Sequence, residues 1–205
     1  MSKKKTGTLI AALLLLMVIL VAAYFIFFSA SGWESYAKTD EYISVCDYQS
    51  VIREGQEQSK SRDDIWAEII AYSETKKYPQ KELKELKEEN LKNYTDLANN
   101  SGYDDVNEFL EKEMSLTPEQ FDENSEFFCK HKITETLVLY RIANLEGIEV
   151  TEEAYAEYLD GLMQLNSFTD ESFRELYGKS FREYSDEVGM KETYLLEQVK
   201  AKLFA

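Results

Sequence analysis

A run of 20 consecutive apolar residues, Leu9 to Phe28, constrains this chain more than any other feature. A helix rises about 1.5 Å per residue, so the run is about 30 Å long, which matches the hydrocarbon thickness of a bilayer. Three lysines at residues 3–5 precede it, and basic residues favour the cytoplasmic side of a membrane. We therefore expect residues 1–8 to form a cytoplasmic basic tail and residues 9–28 a single-pass transmembrane anchor. The rest of the chain is then extracytoplasmic.

A cleaved signal peptide is the alternative for the same segment. The apolar region of a signal peptide usually has about 7–15 residues and ends at small residues of the A-x-A type. The run here is longer, and residues 29–31 (Ser-Ala-Ser) form an imperfect cleavage site. These features favour an uncleaved anchor, with cleavage left open as the alternative.

The residues that follow the apolar run are strongly acidic. Residues 29–205 contain 20 of the chain's 23 basic residues and all 39 acidic ones, a net charge of −19. Nucleic acids and anionic lipid surfaces repel such a charge, so we expect neither as a partner. The composition suits a soluble domain with apolar or basic partners, and solubility alone would explain most of the charges. The length is sufficient for one hydrophobic core or two small lobes.

Residues that could carry catalysis or bind a metal are scarce. Cys46 and Cys129 are the only cysteines. Outside the cytoplasm they could form a disulfide, and two free thiols are at least as good an alternative. His131 is the only histidine, so neither a His-based metal site nor a Ser-His-Asp triad is expected. No Gly-rich phosphate loop is present, so the sequence predicts no cofactor and no nucleotide, and an enzyme is disfavoured.

Helix signals and hydrophobic periodicity agree over residues 61–205. Both prolines fall at predicted helix starts, and Gly102, Gly147 and Gly178 fall at predicted helix ends, as is usual for these residue types. Residues 137–143 are apolar almost all round, which indicates a helix buried on several sides. The pattern predicts an all-α, multi-helix domain with long helical arms, which closes with one long helix from Phe181 to Leu203.

Extended structure is expected only in short links. Residues 42–45 and 148–150 have a short extended pattern, and the polar segment from Arg53 to Arg62 contains a glycine, which is typical of a loop. Residues 29–60 are therefore predicted to be an extended juxtamembrane linker ahead of the helical domain.

Residues 137–159 (LVLYRIANLEGIEVTEEAYAEYL) resemble the C-terminal helical chaperone domain of trigger factor and, more loosely, the helical part of SurA-type periplasmic chaperones. A buried helix ends in Leu-Glu-Gly, a three-residue link follows, and Thr-Glu-Glu begins the next helix. Segments at 64–79, 103–121 and 176–199 resemble other parts of that domain in the same order. The resemblance covers about residues 40–205. It implies an all-α frame that holds unfolded polypeptides without ATP.

The chain also departs from the families that it resembles. Trigger factor carries an isomerase domain of the FK506-binding type, whereas only Arg53 to Arg62 lie here between the lead segment and the first predicted helix. A whole domain cannot fit into so short a segment. The ribosome-docking domain is replaced by the apolar run, and the parvulin domain of SurA-type chaperones is absent. We therefore predict no prolyl isomerase activity.

A holding chaperone needs exposed apolar side chains in a concave frame rather than catalytic groups. Aromatic residues and Met provide adaptable contacts. Phe127 and Phe128 stand out because the helix around them is otherwise polar. An aromatic residue at helical spacing is usually part of a core, and each candidate has that alternative. The candidate client-binding residues are Tyr94, Phe109, Leu110, Phe121, Phe127, Phe128, Tyr155, Tyr158, Leu162 and Phe168.

The sequence thus predicts a membrane-anchored, extracytoplasmic holding chaperone in a bacterial cell membrane, whose partners are unfolded or secreted polypeptides. The alternative is a non-catalytic binding or scaffold subunit of the cell envelope that holds one specific protein. Promiscuity distinguishes the two, because a chaperone binds many unfolded chains weakly whereas a scaffold binds one folded partner tightly.

Overall fold

The structure is a computed structural model, and it describes residues 36–205, with side chains from Lys38 onward. The predicted basic tail and transmembrane anchor, residues 1–28, lie outside the described residues. None of the helices between residues 36 and 205 is long and apolar enough to cross a bilayer.

The described residues are mostly helical, which confirms the all-α prediction for this part of the chain. A 3-10 segment (Tyr36–Glu41) precedes strand β1 (Ile43–Ser44), which pairs antiparallel with β2 (Glu74–Thr75). These two-residue strands fit the expectation that extended structure occurs only in short links. The α-helices of the described residues are α1 (Tyr48–Glu57), α2 (Arg62–Tyr72), α3 (Gln80–Asn100), α4 (Val106–Met114), α5 (Pro118–Glu146), α6 (Glu152–Leu165), α7 (Asp170–Tyr177), α8 (Phe181–Glu187) and α9 (Met190–Leu203).

Local signals in the sequence determine the ends of the longest helix, α5. The Thr117 side chain accepts a hydrogen bond from the Gln120 amide, the Gln120 side chain accepts one from the Thr117 amide, and Pro118 occupies the first turn. This is a capping box, which satisfies backbone donors that the helix itself leaves free. Gly147 ends the helix in the left-handed conformation, with φ +62°. Both ends lie where the sequence predicts them.

The loop predicted from Arg53 to Arg62 is wrong in its first half, because α1 continues to Glu57. Residues 48–57 are therefore helical rather than part of an extended linker. Asp47 begins α1 by accepting a hydrogen bond from the Ser50 amide. Gly55 is buried within the helix, and a Cβ there would lie 2.4 Å from Cγ1 of Ile65. The absence of a side chain at Gly55 therefore lets α1 approach α2 closely, and the glycine does not mark a turn.

The last long helix, predicted from Phe181 to Leu203, is two helices. Gly189 adopts a left-handed conformation with φ +69° between α8 and α9, where a glycine avoids the steric penalty of a side chain. The amide of Val188 donates to the Tyr184 carbonyl at 3.0 Å, so α8 closes just before this break.

The described chain divides into two compact units. The large unit contains residues 36–149 and Leu195–Ala205, and the small unit contains Val150–Tyr194. The second half of α5 lies in the centre of the large unit, where Leu137, Val138 and Ile142 are fully buried. This confirms the prediction that residues 137–143 belong to a helix buried on several sides. Its first half packs against α3, and α4 lies against both of them. We call α3, α4 and the first half of α5 the arm.

Candidate functional site

The structure divides the ten predicted client-binding residues between the two units. Six of them, from Tyr94 to Phe128, belong to the arm of the large unit, and four, from Tyr155 to Phe168, belong to the small unit. Only Phe127, Phe128 and Phe168 are exposed, and Tyr94, Tyr158 and Leu162 are half-buried. The other four are buried, so the candidates form no single continuous surface.

Several arm candidates are core residues of the arm tip. Phe109, Leu110 and Phe121 are buried with Ala98 in one cluster, which we call the tip cluster. Tyr94 packs on it edge-on to Phe121, with ring centroids 4.9 Å apart. These side chains hold α4 against α3 and α5, so they have the core role that was the alternative to client binding.

A groove of about 290 Å³ lies beside the tip cluster. Leu91 of α3 and the start of α5, with Phe121, provide its apolar part. At its edge, the Lys87 ammonium lies 2.9 Å from Asp122 and 3.4 Å from Glu126, and the hydrogen bond to Asp122 is the main cause that raises the pKa of Lys87. The groove is lined by Lys87, Glu88, Leu91, Asn107, Pro118, Phe121, Asp122 and Ser125.

A buried polar pair lies next to the groove in the interface of α3 and α5. Asn90 Nδ2 donates to Ser125 Oγ at 2.7 Å, and both residues are buried. One turn further along α5, Cys129 is fully buried, and burial raises the pKa of its thiol. Along α5, the polar Ser125 therefore lies between the tip cluster and Cys129, a core residue of the large unit.

Phe127 is the most exposed of the predicted residues, with 77% of its surface accessible. It lies on α5 among exposed polar residues, which include Glu123 and His131. Phe128 is also exposed, although less so. An aromatic ring held open on an otherwise polar helix face is the arrangement that the sequence predicts for a client contact.

The small unit carries a cluster of aromatic rings. Phe173 is buried and stacks on Tyr177 with ring centroids 4.3 Å apart, and it contacts the edges of Phe168, Phe181 and Tyr184 at 5.0 to 5.8 Å. We call these five residues the aromatic cluster. Of these five residues, only Phe168 is among the predicted client-binding residues. A signal for this cluster was present in the sequence. Aromatic residues lie at helical spacing on both sides of the turn at Gly178, as Phe173 and Tyr177 before it and as Phe181 and Tyr184 after it.

Two large aliphatic side chains of the small unit are also exposed. Leu165, at the end of α6, is 82% exposed, and Leu176 on α7 is 65% exposed. Tyr177 and Phe168 of the aromatic cluster are exposed as well. We call Leu165, Phe168, Leu176 and Tyr177 the apolar surface of the small unit.

Tyr155 belongs to the interior of the small unit and not to this surface. Its ring is fully buried beneath the Arg182 guanidinium, which lies 4.5 Å from the ring centroid, and burial raises the pKa of its hydroxyl. Glu152 accepts hydrogen bonds from Lys191 and from Arg182. These bonds lower the pKa of Glu152 to about 2, and the bond from Lys191 has the larger effect. Tyr158 stacks on Tyr194 at 4.4 Å. These contacts hold α6, α8 and the start of α9 together.

Cys46 and Cys129 are free thiols in the structure. The Cys46 thiol donates to the Ile69 carbonyl oxygen at 3.6 Å. Burial raises the pKa of both thiols. In the structure, the two cysteines therefore follow the free-thiol alternative and form no disulfide with each other. Among residues 36–205, no group of three or more His, Cys, Asp or Glu side chains is placed to hold a metal ion.

No family model, curated protein or solved structure matches the chain.

Proposed function

We propose that this protein is a membrane-anchored, extracytoplasmic holding chaperone that binds unfolded or secreted polypeptides transiently and without ATP. Residues 9–28 provide the anchor in a bacterial cell membrane, and the helical domain faces outward. The resemblance of residues 40–205 to the C-terminal domain of trigger factor supports this proposal, as does the long helical arm.

The exposure of large apolar side chains on a strongly acidic domain is the observation that carries the proposal. Phe127 on the arm and the apolar surface of the small unit are open to solvent, while residues 29–205 have a net charge of −19. Exposed apolar patches on soluble proteins mark binding surfaces, and net charge of one sign opposes self-association through them. Such surfaces bind apolar segments of unfolded chains, which folded proteins conceal.

A scaffold subunit with one folded partner is the second candidate, and the aromatic cluster favours it. Phe173 contacts four other rings, so part of the apolar surface of the small unit is fixed before any partner arrives. Preorganised surfaces lose less entropy on binding and suit a single specific partner.

Suppression of aggregation tests the proposal. The full chain is placed in lipid nanodiscs, and a chemically unfolded model protein is diluted into buffer with these nanodiscs or with empty ones. Light scattering then measures aggregation. We expect suppression that rises with the concentration of the chain and approaches completion near a stoichiometric ratio.

Surface variants locate the contact. Phe127→Ser and Leu176→Ser each remove one exposed apolar side chain, and loss of a contact residue that contributes over 1 kcal/mol would raise the concentration needed for half suppression about fivefold. Leu145→Ser is the matched control, because Leu145 is an exposed apolar residue of α5 that was not a candidate. Full aggregation at several-fold excess of a chain shown to be folded by circular dichroism would overturn the chaperone proposal and favour the scaffold subunit.

A further inference from the structure

The short helix α4 is held to the arm by very few buried side chains. Of its nine residues, only Phe109 and Leu110 are buried, both in the tip cluster, and the partly buried Val106 packs against that cluster. The contacts of α4 are with α3 and α5. A segment with so few buried apolar contacts lies at the low end of local stability within a folded protein.

The tip cluster is separate from the main core of the large unit. Along α3 and α5, the buried hydrogen-bonded pair Asn90–Ser125 lies between the tip cluster and the main core, and the ion pairs of Lys87 lie at the surface beside it. Small apolar clusters of this kind are satellites of the main core, and segments with few buried apolar contacts open locally at low free energy. The tip can therefore open without unfolding the rest of the unit.

Both connections of α4 contain residues in the left-handed conformation. Gly102 precedes the helix with φ +87°, and Ser115 ends it with φ +57°. A non-glycine residue in this conformation is disfavoured, so the closed position of α4 carries strain at Ser115. Leu116 donates its amide to the Leu110 carbonyl at 3.1 Å, and the Tyr103 hydroxyl donates to Glu113 at 2.5 Å, so the segment is tied to itself and can move as one piece.

We propose that α4 is a lid over a concealed client site. When it lifts from α3 and α5, the tip cluster becomes an open apolar surface that extends the groove beside Leu91 and Phe121. An apolar segment of an unfolded polypeptide then occupies this surface. This inference rests on the proposed chaperone function and assigns the buried candidates Phe109, Leu110 and Phe121 to the open state.

Thiol labelling of the full chain in nanodiscs measures the opening. Ala98 is 1% exposed in the tip cluster, so the variant Ala98→Cys introduces a thiol that reacts only when the lid lifts. Cys129 is fully buried in the same arm and serves as an internal reference, while Cys46→Ser removes the half-exposed thiol. We expect the cysteine at 98 to react with a maleimide at least about a hundredfold faster than Cys129, as sub-global opening requires.

Two variants that should change the labelling rate in opposite directions test the backbone strain at the two connections of α4. Gly102→Ala places a Cβ at φ +87° and should speed labelling at position 98 about tenfold, whereas Ser115→Gly relieves strain and should slow it several-fold. Gly161→Ala is the matched control, because Gly161 lies within α6 and a Cβ there meets nothing within 4 Å. It should leave the labelling rate at position 98 unchanged.

Aggregation suppression by the same variants tests the client role. Gly102→Ala should suppress aggregation at a lower concentration than the unaltered chain, and Ser115→Gly at a higher one. Equal labelling rates at positions 98 and 129 would overturn the lid. Faster labelling in Gly102→Ala with unchanged suppression would overturn the concealed client site while leaving the proposed function intact. Lack of suppression by the unaltered chain would overturn the proposed function, and labelling would still decide whether α4 opens.

Discussion

Gly55 shows how one atom determines the packing of two helices. A Cβ at this position would lie 2.4 Å and 2.7 Å from two carbons of the Ile65 side chain, and Ile65 is itself buried. We expect Gly55→Ala to destabilise the chain by about 1–3 kcal/mol, because α1 or Ile65 must shift to make room. Denaturant unfolding followed by circular dichroism measures this change. In Gly161→Ala, where there is room, the same replacement should stabilise α6 by up to about 1 kcal/mol, and equal effects at both positions would contradict the argument.

Glu152 links the stability of the small unit to pH. Its hydrogen bonds from Lys191 and Arg182 lower its pKa from 4.5 to about 2. A carboxylate with a depressed pKa in the folded state stabilises the protein fully above its unfolded pKa and loses that contribution as pH falls through the folded pKa. Glu152→Gln should therefore lower the Tm at pH 7, and the difference from the unaltered chain should shrink between pH 4.5 and pH 2. Glu153→Gln, which removes a carboxylate at the exposed neighbouring position, is the matched control.

At the scale of the element, the pairing of α3 and α5 depends on polar residues as well as apolar ones. Ser125→Ala leaves the buried amide of Asn90 without its acceptor and should cost about 1–3 kcal/mol of unfolding free energy. Adding Asn90→Leu to Ser125→Ala removes the unpaired group and should recover most of the loss. A double-mutant cycle from chemical denaturation measures the coupling. Strictly additive losses would show that the two side chains do not depend on each other.

The elements also show what a single sequence can and cannot predict. Thr117, Pro118 and Gly147 determine the ends of α5 through local contacts, so the sequence predicts them correctly. The roles of Gly55 and Gly189 depend on a neighbouring helix and on backbone conformation, and both were missed. Periodicity identifies the apolar face of a helix but not what covers it. Phe121 and Phe127 were therefore both candidates, although the structure buries the first and exposes the second.

At the scale of the whole molecule, the proposal assigns residues 9–28 the role of a membrane anchor. A helix of 20 residues rich in Leu, Ile, Val and Phe inserts favourably, because each such residue contributes about −0.3 to −0.6 kcal/mol near the centre of a bilayer. We expect the full chain to stay with the membrane pellet after alkaline extraction, at its full mass. Protease added to the outer side of spheroplasts should digest the helical domain.

Charged variants give this prediction a control. Leu16→Arg combined with Leu20→Arg places two charges near the centre of the run, at a cost of about 2.5–3.5 kcal/mol each, and should release the chain into the soluble fraction or trap it inside the cell. The same two changes at Leu91 and Leu145, exposed apolar positions of the helical domain, should leave the chain in the membrane. A released product that lacks residues 1–28 would instead identify a cleaved signal peptide. The proposed chaperone would then act as a free extracytoplasmic protein rather than as a membrane-anchored one.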